Sequence, residues 1–156
     1  MKITKTSLLE APPEWVWDRI QEPAAMKEMS KPLVSLEPID PPRFPEEWVD
    51  GETYEAQVEL LGLIPVARQT IAPRRLEADG TPGEALYRFK DEGSGTLFPT
   101  WDHTMTVRET SDGASAYTDE IEVGAGVFTP LVYPIVKLLV AHRHRRWREL
   151  ASQETS

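Results

Sequence analysis

The chain of 156 residues has the length of one domain, and we therefore expect a single domain over residues 1–156. It contains no cysteine, which excludes disulfide bonds, thiolate nucleophiles and thiolate metal sites and is typical of a reducing compartment. A net charge of −9 argues against nucleic-acid binding, which requires a broad basic surface, and we expect no nucleic-acid partner. Residues 1–15 lack the apolar core of a secretory signal, so the expected location is cytoplasmic.

The N-terminal third of the chain predicts a strand, two short helices and a second strand. Residues 2–9 have strand character, and the APPE motif at residues 11–14 then favours a helix start, because proline is tolerated in the first helical turn. A second short helix is predicted over residues 24–29. Strand character returns over residues 33–39, and a proline-rich connection follows as far as Pro45.

The middle of the chain alternates apolar and polar residues with a period of two, which indicates half-buried antiparallel strands. Gly80 and Gly83 frame a loop between two of these strands, and residues 93–95 (GSG) predict a turn. The side chains predicted to face the interior from these strands are Tyr54, Trp101, His103, Met105, Tyr117 and Asp119.

The dipeptide Asp112-Gly113 is a strong hairpin signal between the last two predicted strands. A two-residue loop would place Met105 opposite Glu120, whereas a three-residue loop would place Met105 opposite Asp119. The sequence leaves both registers open, and with them the direction in which Asp119 faces.

Residues 127–150 predict one long helix, apolar in its first half and basic in its second. At 100° per residue, one line along this helix carries apolar residues first and polar residues later. The residues predicted on this inner face are Phe128, Val132, Ile135, Leu139, His142, Arg146 and Leu150. His144 and Arg148 are predicted to face solvent.

The segment APPEWVW at residues 11–17, the antiparallel meander and the long terminal helix together resemble the START and Bet v 1-like (SRPBCC) superfamily, over nearly the whole chain. Within that superfamily, WDH at residues 101–103, TDE at residues 118–120 and HRHRRW at residues 142–147 look like a subgroup of bacterial proteins, mostly of unknown function.

The resemblance implies an α+β helix-grip fold. A curved antiparallel sheet of six or seven strands would wrap the terminal helix, two short helices would follow the first strand, and an apolar cavity would be enclosed. Members of the superfamily bind lipids, sterols, polyketides or other hydrophobic ligands, and some catalyse cyclisation or dehydration. The superfamily has no universal catalytic residue to transfer, and the proline-rich segment at residues 38–45 departs from its ligand-handling members.

The predicted interior contains more polar groups than a core tolerates unless they are paired. In one interpretation, Asp119 pairs with Arg146 or with a histidine and clamps the helix to the sheet. In a second, His103, His142 and Arg146 form the polar end of an apolar ligand pocket. In a third, His103 and Asp119 are candidate catalytic residues that act as an acid/base pair. The ligand-binding set in the second interpretation is Tyr54, Trp101, His103, Met105, Tyr117, Asp119, Ile135, Leu139, His142 and Arg146.

The sequence predicts no metal site and no cofactor. His142 and His144 lie about 200° apart on a helix, and His103 with Asp119 supplies only two of the three protein ligands usual in a catalytic zinc site. An integral membrane segment is not expected either, because two prolines and Lys137 interrupt the apolar run of the terminal helix.

We expect the protein to bind or transport a small hydrophobic molecule, lipid-like or polyketide-like, in an internal cavity, and a non-catalytic role is favoured. One alternative is a cyclase or dehydratase that uses His103 and Asp119 in the same cavity. Another is a protein-interaction module with a filled core. The sequence leaves the oligomeric state open, and a homodimer is compatible with it.

Overall fold

The computed structural model describes residues 1–78 and 84–154 of the chain. In chain order the elements are β1 (Lys2–Leu9), α1 (Pro13–Ile20), α2 (Pro23–Ser30), β2 (Val34–Asp40), β3 (Tyr54–Leu60), β4 (Ile64–Ile71), β5 (Pro73–Leu76), β6 (Ala85–Gly95), β7 (Thr100–Glu109), β8 (Ser115–Gly124) and α3 (Thr129–Glu154). The loop predicted between Gly80 and Gly83 lies outside the described residues.

The strands form one antiparallel sheet with the order β1-β8-β7-β6-β4-β3-β2, and β5 pairs with β6 beside this path. Seven strands lie on the main path, which is the larger of the two predicted counts, and β5 adds a short eighth. The helix-grip fold predicted from the sequence is confirmed, with a curved sheet, two short helices after the first strand and a long terminal helix.

The turn predicted at residues 93–95 is wrong, because these residues form the end of β6. Thr70 of β4 pairs there with Ser94 of β6. A Cβ atom on Gly93 would lie only 2.7 Å from the backbone oxygen of Thr70. Glycine is therefore required for the two strands to approach this closely, rather than for a change of chain direction.

The hairpin between β7 and β8 has a three-residue loop, residues 111–113, and Gly113 in it has a φ of +82°. Met105 consequently lies opposite Asp119, which decides between the two registers that the sequence leaves open. His103 on β7 and Asp119 on β8 are both buried. The predicted inward direction of both side chains is therefore correct.

The terminal helix α3 is rotated relative to the prediction. Its buried residues are Val132, Val136, Val140, Arg143, His144, Trp147 and Ala151. Apart from Val132 and His144, each follows a predicted inward residue by one position, which corresponds to a rotation of about 100°. Val136 is 2% exposed, whereas its neighbour Ile135, predicted to face inward, is 63% exposed. His144 was predicted to face solvent and is buried instead, while Arg148 is exposed as predicted.

The core consists of two apolar clusters along α3. One includes Tyr117 of β8 and Trp147 of α3 and extends under α1 and α2. The other joins Ile121 of β8 to Val140 and the preceding valines of α3. Asp119 lies between Tyr117 and Ile121 along β8, so its carboxylate lies where the two clusters meet.

Candidate functional site

A recess of about 50 Å³ opens between α1, α2, the sheet and the second half of α3. This volume holds roughly four water molecules, since one ordered water needs about 10–15 Å³ of such space. The residues that line the recess are Arg19, Ile20, Met26, Met29, Trp48, Ile71, Phe89, Asp91, His103, Met105, Arg143 and Trp147.

The walls of the recess are mainly apolar. Three of the four methionines of the chain, Met26, Met29 and Met105, line it together with Trp48 and Phe89. Methionine is unbranched and adopts many conformations, so it fills irregular spaces and repacks readily. The walls can therefore adapt to a molecule that is somewhat larger than the recess.

The Asp119 carboxylate accepts three hydrogen bonds next to this recess. Nε2 of His103 lies 2.5 Å from Oδ1, the Tyr117 hydroxyl donates to the same oxygen at 2.8 Å, and Nε2 of His144 lies 2.8 Å from Oδ2. All four residues are buried. Because His144 is on α3, the network joins the terminal helix to the sheet, as in the sequence interpretation that pairs Asp119 with a histidine.

Asp119 is held in its ionised form. Burial on its own would raise the pKa of this carboxyl group. Electrostatic attraction to His103 and Arg143 and the hydrogen bonds from both histidines outweigh burial, and they hold the pKa of Asp119 well below its ordinary value of 3.8. The carboxylate therefore acts only as an acceptor at neutral pH.

His103 connects this network to the recess. Because Asp119 is ionised, Nε2 of His103 carries the proton that it donates, and Nδ1 is unprotonated when the ring is neutral. Burial lowers the pKa of His103, and although Asp119 opposes this effect, Arg143 and His144 add to it. A neutral imidazole with one basic nitrogen therefore lines the recess.

His144 has partners on both sides of its ring. Its Nδ1 lies 2.8 Å from Oγ of Ser7 on β1, and that oxygen accepts a hydrogen bond from Arg148 at 3.1 Å. The Ser7 hydroxyl can therefore donate its own hydrogen to Nδ1. These contacts fasten α3 to β1 as well as to β8, and they give His144 a structural position away from the recess.

Arg143 is 8% exposed and lines the recess. Within residues 1–78 and 84–154 its side chain makes no hydrogen bond or ion pair, and its Nε atom is completely buried without an acceptor. It acts on Asp119 only through space, because that carboxylate already accepts from three other side chains. The Nε–H group is therefore a buried donor without an acceptor, and the remaining N–H groups of the guanidinium have no protein acceptor within the described residues either.

Asp91 on β6 lies opposite His103 on the neighbouring strand. One of its carboxyl oxygens accepts a hydrogen bond from the backbone N–H of Ala72 at 2.8 Å. Burial raises the pKa of Asp91 to about 7, and the charges of Asp102 and Glu92 act in the same direction, against the hydrogen bond from Ala72. The recess thus contains a carboxyl group that is partly protonated at neutral pH.

Only part of the predicted ligand-binding set reaches the recess. His103 and Met105 line it, and Tyr117 and Asp119 lie next to it in the hydrogen-bond network. The predicted residues that do not line it are Tyr54, Trp101, Tyr117, Asp119, Ile135, Leu139, His142 and Arg146.

The helix residues in this set are displaced by the rotation of α3. Ile135 is exposed to solvent. Nε2 of His142 bonds to the backbone carbonyl of Lys31 at the end of α2, and Arg146 pairs with Glu28 of α2 at 2.8 Å. The prediction that Ile135, His142 and Arg146 face the cavity is therefore wrong, because these side chains lie one residue around the helix from the buried line.

The prediction missed Arg143 and Asp91, which are the charged or ionisable groups of the recess besides His103 and Arg19. Arg143 is the residue that follows His142 and would have been found by placing the helix one residue further round. Asp91 lies in a charged run, KDE at residues 90–92, which carries no sequence signal of a position at the recess.

Residues 1–78 and 84–154 contain neither a cluster of metal-ligating side chains nor a membrane-spanning helix. No group of three or more histidine, cysteine, aspartate or glutamate side chains there could hold a metal ion. No helix in the same residues is long and apolar enough to cross a membrane.

Comparison with known proteins gives a family and a fold. Residues 7–150 match the family model described as Domain of unknown function (DUF8410). No curated protein sequence matches the chain significantly. Among solved structures, a protein from Chromobacterium violaceum is 19% identical, with a TM-score of 0.67 over 96% of each chain.

Two further solved structures carry descriptive names. A START superfamily protein from Mycobacterium smegmatis is 13% identical, with a TM-score of 0.65 over 97% of each chain. A point mutant of norcoclaurine synthase from Thalictrum flavum, in complex with a transition-state analogue, is 14% identical, with a TM-score of 0.65 over 100% of this chain and 96% of that one. At these identities the likeness establishes the fold alone. The chain therefore has the START and Bet v 1-like fold that the sequence predicts, and it belongs to the family described as Domain of unknown function DUF8410.

Proposed function

We propose that the protein binds a small hydrophobic molecule non-covalently in the recess between α1, α2, the sheet and α3. The observation that carries this proposal is the lining of the recess, in which apolar walls surround a few charged or ionisable side chains. Ligand pockets generally combine these two features, because apolar contacts supply affinity and a few polar groups fix orientation.

The size of the recess limits the ligand. Its volume of about 50 Å³ is well below the roughly 300–1,000 Å³ of clefts that hold drug-sized molecules. Space for roughly four waters corresponds to about 120 Å³ of liquid, at about 30 Å³ per water. This is close to the volume of a six-carbon chain or a single substituted ring, and repacking of Met26, Met29 and Met105 would admit slightly larger molecules.

Methionine methyl groups allow a site-specific test. Protein labelled with methyl-¹³C methionine gives four methyl signals, three from the recess and one from Met1, which is 52% exposed outside it. Titration with 1-hexanol should shift the signals of Met26, Met29 and Met105 with a saturating dependence, while the Met1 signal stays fixed. Single Met→Leu substitutions assign the signals. No shift, or an equal unsaturated drift of all four signals, would reject the proposed site.

A matched pair of substitutions distinguishes binding in the recess from a general effect on packing. Met105→Phe narrows the recess and should weaken hexanol binding about tenfold, a change of about 1.4 kcal/mol. Ile3→Phe adds similar bulk to the other apolar cluster, away from the recess, and should leave binding unchanged. Equal losses of hexanol affinity in both variants would show that binding weakens because the whole protein is destabilised. That result would argue against binding in the recess.

A second candidate function is proton transfer, which is favoured by the 2.5 Å contact between Nε2 of His103 and Oδ1 of Asp119. A neutral imidazole oriented by an ionised carboxylate is a common form of general base. In this function Nδ1 of His103 removes a proton from the carbon next to the carbonyl of a bound ketone, leaving an enolate and an imidazolium. The enolate then regains a proton from the imidazolium.

Deuterium exchange tests this second candidate directly. In D₂O the imidazolium exchanges the abstracted proton for a deuteron from the solvent before the enolate is reprotonated, so 2-hexanone should gain deuterium next to its carbonyl faster with protein than in buffer alone. His103→Gln should reduce the exchange to the buffer rate, while Glu120→Gln, on the exposed side of β8, should leave it unchanged. Exchange at the buffer rate with the wild-type protein would reject catalysis of enolisation.

A further inference from the structure

We infer that the ligand of the recess is a carboxylate and that Arg143 recognises it through its guanidinium group. This inference rests on the proposed function. It adds the chemical class of the ligand and the residue that selects it.

Arg143 is a buried cation at the recess with a hydrogen-bond donor that has no acceptor. The side chain is more than nine-tenths buried and lines the recess, and within the described parts of the chain its guanidinium has no acceptor. A buried charged group is costly unless it is hydrogen-bonded, and a guanidinium carries five donors. An acceptor that enters the recess would supply what the protein does not.

The neighbouring arginines each have an acidic partner, which Arg143 lacks within the described residues. Arg19, which also lines the recess, donates to Glu22 at 2.9 Å and lies over the ring of Trp15. Arg146 pairs with Glu28, one turn further along α3. Arg143 is thus the recess arginine that lacks an acidic partner among residues 1–78 and 84–154.

The negative charge of Asp119 does not explain why the N–H groups of Arg143 have no acceptor. Arg143 helps to keep Asp119 ionised, but both carboxylate oxygens already accept hydrogen bonds from Tyr117, His103 and His144. The attraction therefore operates without using any N–H group of Arg143. An arginine whose N–H groups were paired with other residues would keep Asp119 ionised equally well.

A carboxylate matches the guanidinium better than other small polar groups. The two are planar, and they form paired N–H···O hydrogen bonds in a fixed geometry. An alcohol offers one oxygen and no charge, and an ammonium group would be repelled. A phosphate ester would bring up to two negative charges close to Asp91, which also lines the recess. A singly charged carboxylate on a chain of about six carbons fits both the charge and the volume.

Three ligands of equal chain length test the inference on the wild-type protein. Hexanoate, 1-hexanol and hexylammonium are titrated at pH 6 against the labelled methionine signals. Hexanoate should bind at least tenfold more tightly than hexanol, and hexylammonium should not bind. Equal affinities for hexanoate and hexanol would overturn the inference while the proposed function stands. A protein that binds none of the three would instead reject the proposed function itself.

Substitutions on α3 then identify the residue. Arg143→Gln should lower hexanoate affinity to that of hexanol and change hexanol affinity by less than threefold. Arg145→Gln is the matched control, because the Arg145 side chain is 63% exposed and faces Glu149, and it should bind like the wild type. Retention of the hexanoate preference in Arg143→Gln would overturn the inference.

A charge-preserving variant covers the case in which Arg143→Gln fails to fold. Arg143→Lys keeps the positive charge but loses the paired hydrogen bonds, so its preference for hexanoate over hexanol should fall between that of the wild type and unity. A preference in Arg143→Lys that equals the wild-type value would contradict recognition by the guanidinium group.

Discussion

His144 on α3 and Asp119 on β8 are joined in the core by a contact of 2.8 Å between Nε2 and Oδ2. The same carboxylate accepts hydrogen bonds from Tyr117 and His103, so one side chain satisfies three buried donors. Loss of an acceptor costs more than the bond itself is worth, because its buried partners lose their hydrogen bonds without regaining water. The contact between the terminal helix and the sheet should therefore depend strongly on Asp119.

We expect Asp119→Ala to lower the free energy of unfolding by about 3–5 kcal/mol, since it leaves a histidine pair and a tyrosine unpaired in the core. Urea denaturation followed by tryptophan fluorescence measures the change. Glu120→Ala is the matched control, because that exposed carboxylate pairs with Lys2 only at 3.8 Å and should contribute less than about 0.5 kcal/mol. Similar losses in the two variants would show that the network does not stabilise the fold.

The part of this network on the strands could be predicted from the sequence. Alternate side chains of a strand face opposite sides, so the period-two pattern places His103, Tyr117 and Asp119 on the inner face. The dipeptide Asp112-Gly113 marks a hairpin but fits more than one loop length. The register of Asp119 therefore required the three-dimensional structure.

The part on α3 could not be predicted in the same way. The first half of this helix carries apolar residues on more than one side, so hydrophobic periodicity does not decide between two neighbouring faces. Ile135 and Leu139 form one apolar line, and Val136 and Val140 form another, one residue away. The valine line is buried because it packs against β1 and β8, and no local pattern in the helix records that contact. Arg143 lies at the recess because the valine line of α3 is the one that is buried.

Paired truncations test the orientation of α3. Val136→Ala should lower the free energy of unfolding by about 2 kcal/mol, because it opens a cavity in the cluster shared with β8. Ile135→Ala removes more atoms from the adjacent position, but from a side chain that is 63% exposed, so the change should stay within about 0.5 kcal/mol. Chemical denaturation of both variants provides the comparison. A larger loss for Ile135→Ala than for Val136→Ala would restore the orientation predicted from the sequence.

Asp91 should make the stability of the protein depend on pH. Its pKa is raised from the ordinary value of 3.8 to about 7, so between these limits the folded protein holds a proton that the unfolded chain has lost. The protonated form of Asp91 makes its full contribution to the free energy of unfolding below pH 3.8, and this contribution is lost as the pH rises through about 7. Asp91 therefore destabilises the folded protein at pH 8 relative to a neutral side chain.

Asp91→Asn should remove this dependence while its amide oxygen still accepts the hydrogen bond from Ala72. The free energy of unfolding of the variant, relative to that of the wild type, should rise by at most about 4 kcal/mol between pH 4 and pH 8. This bound follows from about 1.4 kcal/mol per unit of pKa shift. Urea denaturation of both proteins at pH 4, 6 and 8 measures it, and other titrating groups cancel in the difference. A difference that does not change with pH would contradict the raised pKa of Asp91.

The ionised state of Asp119 also determines which nitrogen of His103 carries the proton. Since Asp119 can only accept, the neutral His103 ring should be protonated on Nε2 and bare on Nδ1 at pH 7. Because burial lowers the pKa of His103 below its ordinary 6.5, the ring should remain neutral down to a lower pH, and the stability associated with the neutral ring should be lost as the pH falls.

Two-dimensional ¹H–¹⁵N spectra of the ring nitrogens of His103 between pH 5 and pH 8 report both the tautomer and the titration. Asp119→Asn should weaken the tautomer preference, since an amide can serve as donor or acceptor. A proton on Nδ1 in the wild-type protein, or a titration midpoint above 6.5, would be incompatible with this arrangement and with His103 as a base at the recess.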